Sequence, residues 1–474
     1  MNETLPNNEM VKKRYDRKKD TRLEVVKGLF VILAAVITAI IGPLVVAHFS
    51  VLSDPDPTPP LVSTTATATV PFPTLTQPAP TATATTKASS SPTLPPAPVP
   101  LAAPTRLDEY PVQGEVRLMY VYPAGSREEQ ALLEAVSQLR QANPGARITV
   151  WRNQTADWMM EFRNAVNGGN GPDLLLAPAS KLDTLVEENL ISHLSGLVDL
   201  KYSTAQASGG MHYSQTLYGV PLWLHSVALY YDRSILSQPP ASLDELLQLA
   251  KSGWSIAIFR DAAYLSGFAG AYGGEPLGSR SMSCDPNRTG WPAALEYLQQ
   301  LHSVSPQAFY SSLEKADLAF QNRQANMIIN GPEMLPIYRS ALQEDLAVVP
   351  LPGASNPARP LVSSEGLYIS RTAENIPGVV AVLLSLASQE AEQLYAGAGF
   401  IPADRRVISS DQLLQGFMQS AANGFSRPPT PQMELFLRNI AIAIGQVLDQ
   451  GVDPTEAVIL ACNDTNVIIV PKQD

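Results

Sequence analysis

From Val116 onward the apolar residues follow two alternating periods. Val116 to Tyr122 is a short β-rich run, and Glu128 to Gln141 carries Leu132, Leu133, Val136 and Leu139 at helical spacing. Arg147 to Trp151 predicts a second strand, Met159 to Val166 a helix, and Asp173 to Ala177 a third strand followed by a helix to Leu190. Further strands are predicted at Val227 to Tyr231, Ser255 to Phe259, Ala325 to Ile329, Leu346 to Val349 and Leu367 to Ser370. Ser242-Leu243-Asp244-Glu245 ahead of Leu246 and Leu247 is a capping box opening a helix. Helices are also predicted at Pro377 to Ala387 and Gln432 to Leu448. Strands alternating with helices indicate βαβ units and a mainly parallel sheet flanked by helices. Two runs of this alternation, over roughly 370 residues, predict two α/β lobes.

The N-terminal quarter is patterned differently. Gly28 to Ser53 contains no charged residue, and Leu29 to Phe49 is almost wholly Leu, Ile, Val, Ala and Phe. Roughly 20 helical residues cross a hydrocarbon core, so residues 28–50 are expected to span a membrane. A cleaved signal peptide would have a shorter apolar region and a small-residue site, and Ala47-His48-Phe49 is a poor one. No cysteine follows the run to carry a lipid. Residues 51–105 are rich in Pro, Thr, Ala and Ser, with Thr64-Thr65-Ala66-Thr67 and Pro95-Pro96-Ala97-Pro98 as examples. Such a segment has little to bury and is expected to be a disordered stalk reaching on the order of 150 Å.

Charge sharpens this division. Residues 1–27 hold eight basic and five acidic side chains, whereas the formal charge of all 474 residues is −11. A basic flank before the apolar run and none after it predicts a cytoplasmic N-terminus, a single-pass anchor in the cell membrane, and an extracytoplasmic domain at 106–474. The acidity of that domain argues against a nucleic-acid binder. Two cysteines, Cys284 and Cys462, exclude a disulfide-dense scaffold and a four-cysteine zinc site. An oxidising compartment permits a bridge between them, and both the bridge and two free thiols stay open.

Several fragments recur in a telling order: Gly171-Pro172-Asp173-Leu174, Leu217-Tyr218-Gly219-Val220-Pro221, Ala228-Leu229-Tyr230-Tyr231-Asp232, Asn330-Gly331-Pro332, Pro350-Leu351-Pro352-Gly353, Ser364-Glu365-Gly366-Leu367 and Gly399-Phe400-Ile401-Pro402. Together they resemble the extracellular solute-binding proteins of family 1, the maltose-binding-like receptors of ABC importers. The resemblance implies a two-lobed periplasmic-binding-protein-like fold of type II, with the ligand between lobes and a three-strand hinge. Carried over by position, the crossings fall near Leu224 to Val227, Val362 to Gly366 and Ala403 to Val407. Lobe one would be about 106–224 with 366–404, and lobe two about 226–363 with 406–474. A monomer is expected, working with ABC permease subunits and needing no cofactor or metal.

Ligands of open parallel sheets bind beyond the carboxyl ends of the strands. In lobe one those ends offer Tyr122, Trp151, Arg152 and Ser180; the crossings offer Trp223, His225, Ser364 and Glu365; lobe two offers Tyr264, Asn330 and Glu333. A sugar needs aromatic faces and acceptors for its hydroxyls. Trp223, Trp151 and Tyr264 would be the faces, and Glu333, Glu365 and Asn330 the acceptors. Trp158, Trp254 and Trp291 are assigned to packing. The maltose-type pattern has a stacking Trp where Glu333 stands, and its other stacking positions fall near Ala177 and Leu437, which disfavours maltodextrin. A carbohydrate of another kind is the favoured solute, and a surface sensor that keeps the fold without transport is the alternative.

No enzyme signature competes with this. There is no P-loop, no Gly-x-Gly-x-x-Gly and no His-Glu-x-x-His, and Asp285-Pro286-Asn287 lacks the acids of a calcium loop. Glu333 and Glu365 as a glycosidase pair have no support from spacing.

Overall fold

A computed structural model of the chain describes residues 112–277 and 283–467. The expected basic segment, membrane span and stalk lie outside the described residues. Among the described residues no helix is long and apolar enough to cross a membrane.

The first strands are β1 (Gly114–Tyr120), β2 (Ala146–Arg152) and β3 (Leu174–Pro178), then a small hairpin of β4 (His212–Tyr213) and β5 (Thr216–Leu217), then β6 (Gly219–His225). There follow β7 (Ala228–Asp232), β8 (Ile256–Phe259), β9 (Phe309–Tyr310), β10 (Met327–Asn330) and β11 (Leu346–Val349). The last are β12 (Leu361–Ile369), β13 (Ile401–Pro402) and β14 (Phe425–Ser426).

One sheet has the order β13-β6-β12-β3-β1-β2, with β14 joined to β12. Its β3-β1-β2 part is parallel, built from two βα units whose helices are Arg127–Ala142 and Trp158–Asn167. Ser126 starts the first of these by accepting the Glu129 N–H, and Leu132, Ala135 and Val136 then face the core. Asp173, just ahead of β3, accepts the Arg117 N–H at 2.7 Å and fixes the loop. The second sheet has the order β11-β7-β10-β8-β9. Its two faces bury separate clusters, as the period of two along a strand requires. Leu229 and Tyr231 face one cluster, Ala228 and Tyr230 the other.

Both sheets are mixed, where mainly parallel ones were expected. β12 runs antiparallel to β3 and β6, and β7 runs antiparallel to β10 and β11. The cause is the passage of chain between sheets: β7 and β12 arrive from the other lobe instead of closing a βαβ unit. β6 runs through Ser226 and Val227 into β7. β12 pairs first with β14 and then with β3, and the chain after β13 makes the third passage. β6 was not predicted as a strand, because Gly219 and Pro221 are poor ladder residues. A register shift between Glu365 and Gly366 accommodates Pro221. β12 begins at Leu361, ahead of the expected Leu367, since Ser363, Ser364 and Glu365 hide the strand from a hydropathy reading.

Cys284 and Cys462 form a disulfide with Cα atoms 5.0 Å apart. It ties the loop ahead of the helix Trp291–Val304 to the helix Pro454–Asn466.

Candidate functional site

The carboxyl end of β1 meets the passages between the sheets at three side chains. Tyr122 follows β1, His225 ends β6, and Glu365 lies mid-way along β12. Tyr122 Oη donates to Glu365 Oε2 at 2.5 Å, and His225 Nε2 lies 3.4 Å from Glu365 Oε1. Cross-strand pairing brings them together, since Ser363 lies opposite His225 and Glu365 opposite Trp223. Burial works against a charged His225, but the hydrogen bond and charge of Glu365, helped by Glu333 and Glu128, outweigh it and raise its pKa above the ordinary value. Burial and then the charge of Glu365 hold the Tyr122 phenol well above its usual range, so it stays a donor.

Opposite this group, on the second sheet's side, Glu333 sits in the short 3-10 turn Pro332–Met334 after β10. It is exposed and has no hydrogen-bond or ion-pair partner among the described residues. Its field reaches His225, Tyr264 and Tyr230. Tyr264, half-buried in the first turn of the helix Ala262–Ala271, packs edge-on against Phe259 with centroids 5.3 Å apart. Burial and the charge of Glu333 raise its pKa. The arrangement offers carboxylate acceptors, phenol donors and one titratable imidazole between two lobes.

Three expected contacts are corrected. Trp223 is fully buried, enclosed by Tyr122, Tyr395 and Phe400 with centroids 4.8 to 6.0 Å away, and presents no face to a solute. Asn330 is also fully buried: its Nδ2 donates to Asp317 and Tyr338, and its Oδ1 accepts the Gly331 N–H at 2.8 Å. Ser364 is buried and donates to the Ala207 carbonyl at 3.3 Å. Both polar groups are already satisfied within the protein. Trp151 and Arg152 are half-buried at the end of the edge strand β2, where they lie opposite Met119 and Tyr120. Ser180 is half-buried in the 3-10 turn Ala179–Lys181, which continues from Pro178 opposite Glu365.

Two further residues belong here. Glu128, in the first turn of the helix Arg127–Ala142, adds its field to Tyr122 and His225. Its neighbour Arg127 donates from Nη1 to the Pro332 carbonyl at 3.0 Å, across to the second sheet. A signal for Arg127 stood in the sequence: a cation in the first turn of a helix opposes the macrodipole.

A surface depression of about 670 Å³ lies along β7 and β11, with the Arg339–Asp411 ion pair in its wall. None of the candidate residues lines it.

A family model described as bacterial extracellular solute-binding protein matches residues 134–413. The maltotriose-binding protein of Pyrococcus abyssi is 22% identical over 334 residues, covering 65% of this chain and 72% of that protein. The galactooligosaccharide-binding protein of Bacillus subtilis strain 168 is 25% identical over 155 residues, 30% of this chain and 37% of that one. Among solved structures, a cyclo/maltodextrin-binding protein complexed with maltotetraose superposes with a TM-score of 0.66 at 21% identity, covering 76% of this chain and 98% of that one. The GacH receptor of Streptomyces glaucescens gives 0.63 at 16% identity, over 75% and 98%. These structures share the two-lobed fold.

Proposed function

The chain belongs to the bacterial extracellular solute-binding proteins, and from that premise we propose that it captures a carbohydrate in the cleft between its lobes and delivers it to an ABC importer. The observation that carries this is the convergence of Tyr122, His225 and Glu365 at the passages between sheets, faced by Tyr264 and the unpaired Glu333. Glu333 would accept from solute hydroxyls beside the Tyr122–Glu365–His225 group, and of the expected faces Tyr264 and Trp151 remain for the apolar side of a sugar ring. Relatives named for maltotriose and galactooligosaccharides support the solute class. Glu333, in place of a stacking aromatic, favours an oligosaccharide other than maltodextrin.

The same reading places residues 28–50 across the cell membrane, with residues 51–105 as a stalk and the binding domain outside. The basic residues of 1–27 would then be cytoplasmic. Protease added to intact cells is expected to remove the domain; survival of the domain until lysis would reverse the orientation. For the solute, a thermal-shift screen of mono- and oligosaccharides, polyols and polyamines is expected to give concentration-dependent rises with sugars. Shifts confined to polyamines would replace carbohydrate as the solute class.

A further inference from the structure

Arg127 stands first in its helix and reaches over the cleft. Its Nη1 donates to the Pro332 carbonyl at 3.0 Å and lies 3.4 Å from the Gly399 carbonyl, while its guanidinium carbon sits 4.3 Å over the Phe400 ring. Phe400 belongs to the first sheet's core and packs on Trp223. Pro332 follows β10 of the second sheet, in a turn held by Tyr230 Oη donating to the Gly331 carbonyl at 2.7 Å. The contact therefore joins two separately anchored surfaces. Gly399 is favoured there by its φ of +89°, and a Cβ would crowd Arg127 Nη1 at 3.0 Å.

The other arm of the fork is unused. Arg127 Nη2 is buried and has no hydrogen-bond partner among the described residues. A buried N–H without an acceptor is costly, and the rigid fork aims its remaining donors in a fixed direction once Nη1 is engaged. The residue after Pro332 is Glu333, an exposed carboxylate that also lacks a partner among the described residues and whose charge acts on Arg127. An unmet donor on Arg127 and an unmet acceptor on the residue after its Pro332 partner thus lie within reach of each other's charge. Neighbouring oxygens of a polyhydroxylated solute fit the pair, one accepting from Nη2 and the next donating to Glu333.

We propose that Arg127 is a positioning residue that couples solute to closure: Nη1 holds the lobes in the closed geometry, and Nη2 is completed by the solute. The second half rests on the cleft being the carbohydrate site; the first half does not.

The test uses the full chain carrying Gln138→Cys and Ser340→Cys, both exposed positions on helices of opposite lobes, spin-labelled for pulsed-EPR distances. Wild type, Arg127→Gln and Arg127→Lys are compared with and without a galactooligosaccharide. Without sugar, Arg127→Gln is expected to give a longer and broader distance distribution than wild type. With sugar, it is expected to bind at least tenfold more weakly, and Arg127→Lys, which keeps the charge but not the fork, to recover part of the distance and little of the affinity. Unchanged distances in Arg127→Gln overturn the proposal, as does weaker binding without any change in distance. Should Arg127→Gln fail to fold by its melting profile, Arg127→Lys decides by the same two readings. If wild type binds no sugar, the carbohydrate reading fails, while the sugar-free distances still decide whether Arg127 holds the lobes.

Discussion

Glu365 Oε1 lies 3.4 Å from His225 Nε2, so a carboxylate on β12 and an imidazole at the end of β6 tie together two of the three passages between the lobes. The pair is mostly buried, with the imidazole 28% exposed, and Tyr122 occupies the other carboxylate oxygen. Glu365 is thus a junction between the two passages and the end of β1.

The pair sets a pH dependence. His225 has a folded pKa above its ordinary 6.5, so its stabilisation is fully present below about pH 6.5 and fades as the pH rises through the higher folded value. Melting temperatures followed across that window are expected to fall more steeply in wild type than in His225→Gln. Parallel curves would mean that the imidazole carries no linked proton.

Trp223 illustrates what sequence leaves open. Its position at a passage makes it a plausible stacking face, but side-chain direction depends on a register that the bulge between Glu365 and Gly366 alters. As a fully buried side chain it is expected to cost about 3–5 kcal/mol of stability when replaced by Ala. Urea denaturation measures this. A Trp223→Ala protein of native stability that has lost only solute binding would restore the ligand-face reading.

Much else was legible. The boundaries of β11, and nearly those of the helices Arg127–Ala142 and Pro431–Gln450, follow from the apolar pattern alone, because the strand is a continuous apolar run buried on both faces and each helix packs one face on a core. Tyr122, His225 and Glu365 were singled out because strand ends and passages are recognisable, and the structure brings their side chains into contact with one another. Asn330 and Ser364 were read as contacts because their protein partners, Asp317 with Tyr338 on flanking helices and the Ala207 carbonyl 157 residues away, are assembled only by the tertiary fold. The mixed sheets were missed for the same reason: strand direction at a passage is a tertiary fact.

The disulfide spans 178 residues of chain. In the chain-entropy model a loop of that size stabilises by about 5 kcal/mol. Unreduced, denatured protein is expected to react with no maleimide, and Cys284→Ser with Cys462→Ser to melt well below wild type. Two reactive thiols in unreduced protein would exclude the bridge.

Glu392, on the helix Gln389–Gly397, is buried and accepts the Asp404 N–H at 2.6 Å beside the third passage. Burial raises its pKa well above the ordinary value, and Asp404 adds to this against the backbone N–H groups and Arg406. Its protonated form favours the folded state, and that stabilisation is lost as the pH rises through the folded pKa. Glu392→Gln keeps the acceptor without the charge, so it is expected to melt higher than wild type above that pH and Glu392→Ala lower. A Gln variant less stable than wild type at every pH would show that the charge itself is needed.

Carbohydrate binding between the lobes is tested most directly by calorimetric titration of the protein with maltotriose and with galactooligosaccharides, in wild type and Glu333→Ala. Glu333 is exposed and unpaired, so its removal should leave folding intact and remove one charged acceptor from the solute. Such a loss is worth about 1.5–3 kcal/mol, roughly ten- to a hundredfold in affinity. Saturable binding of an oligosaccharide, weakened by that factor in Glu333→Ala at an unchanged melting temperature, is the expected result. No heat of binding at millimolar sugar, or equal affinities in the two proteins, would contradict it.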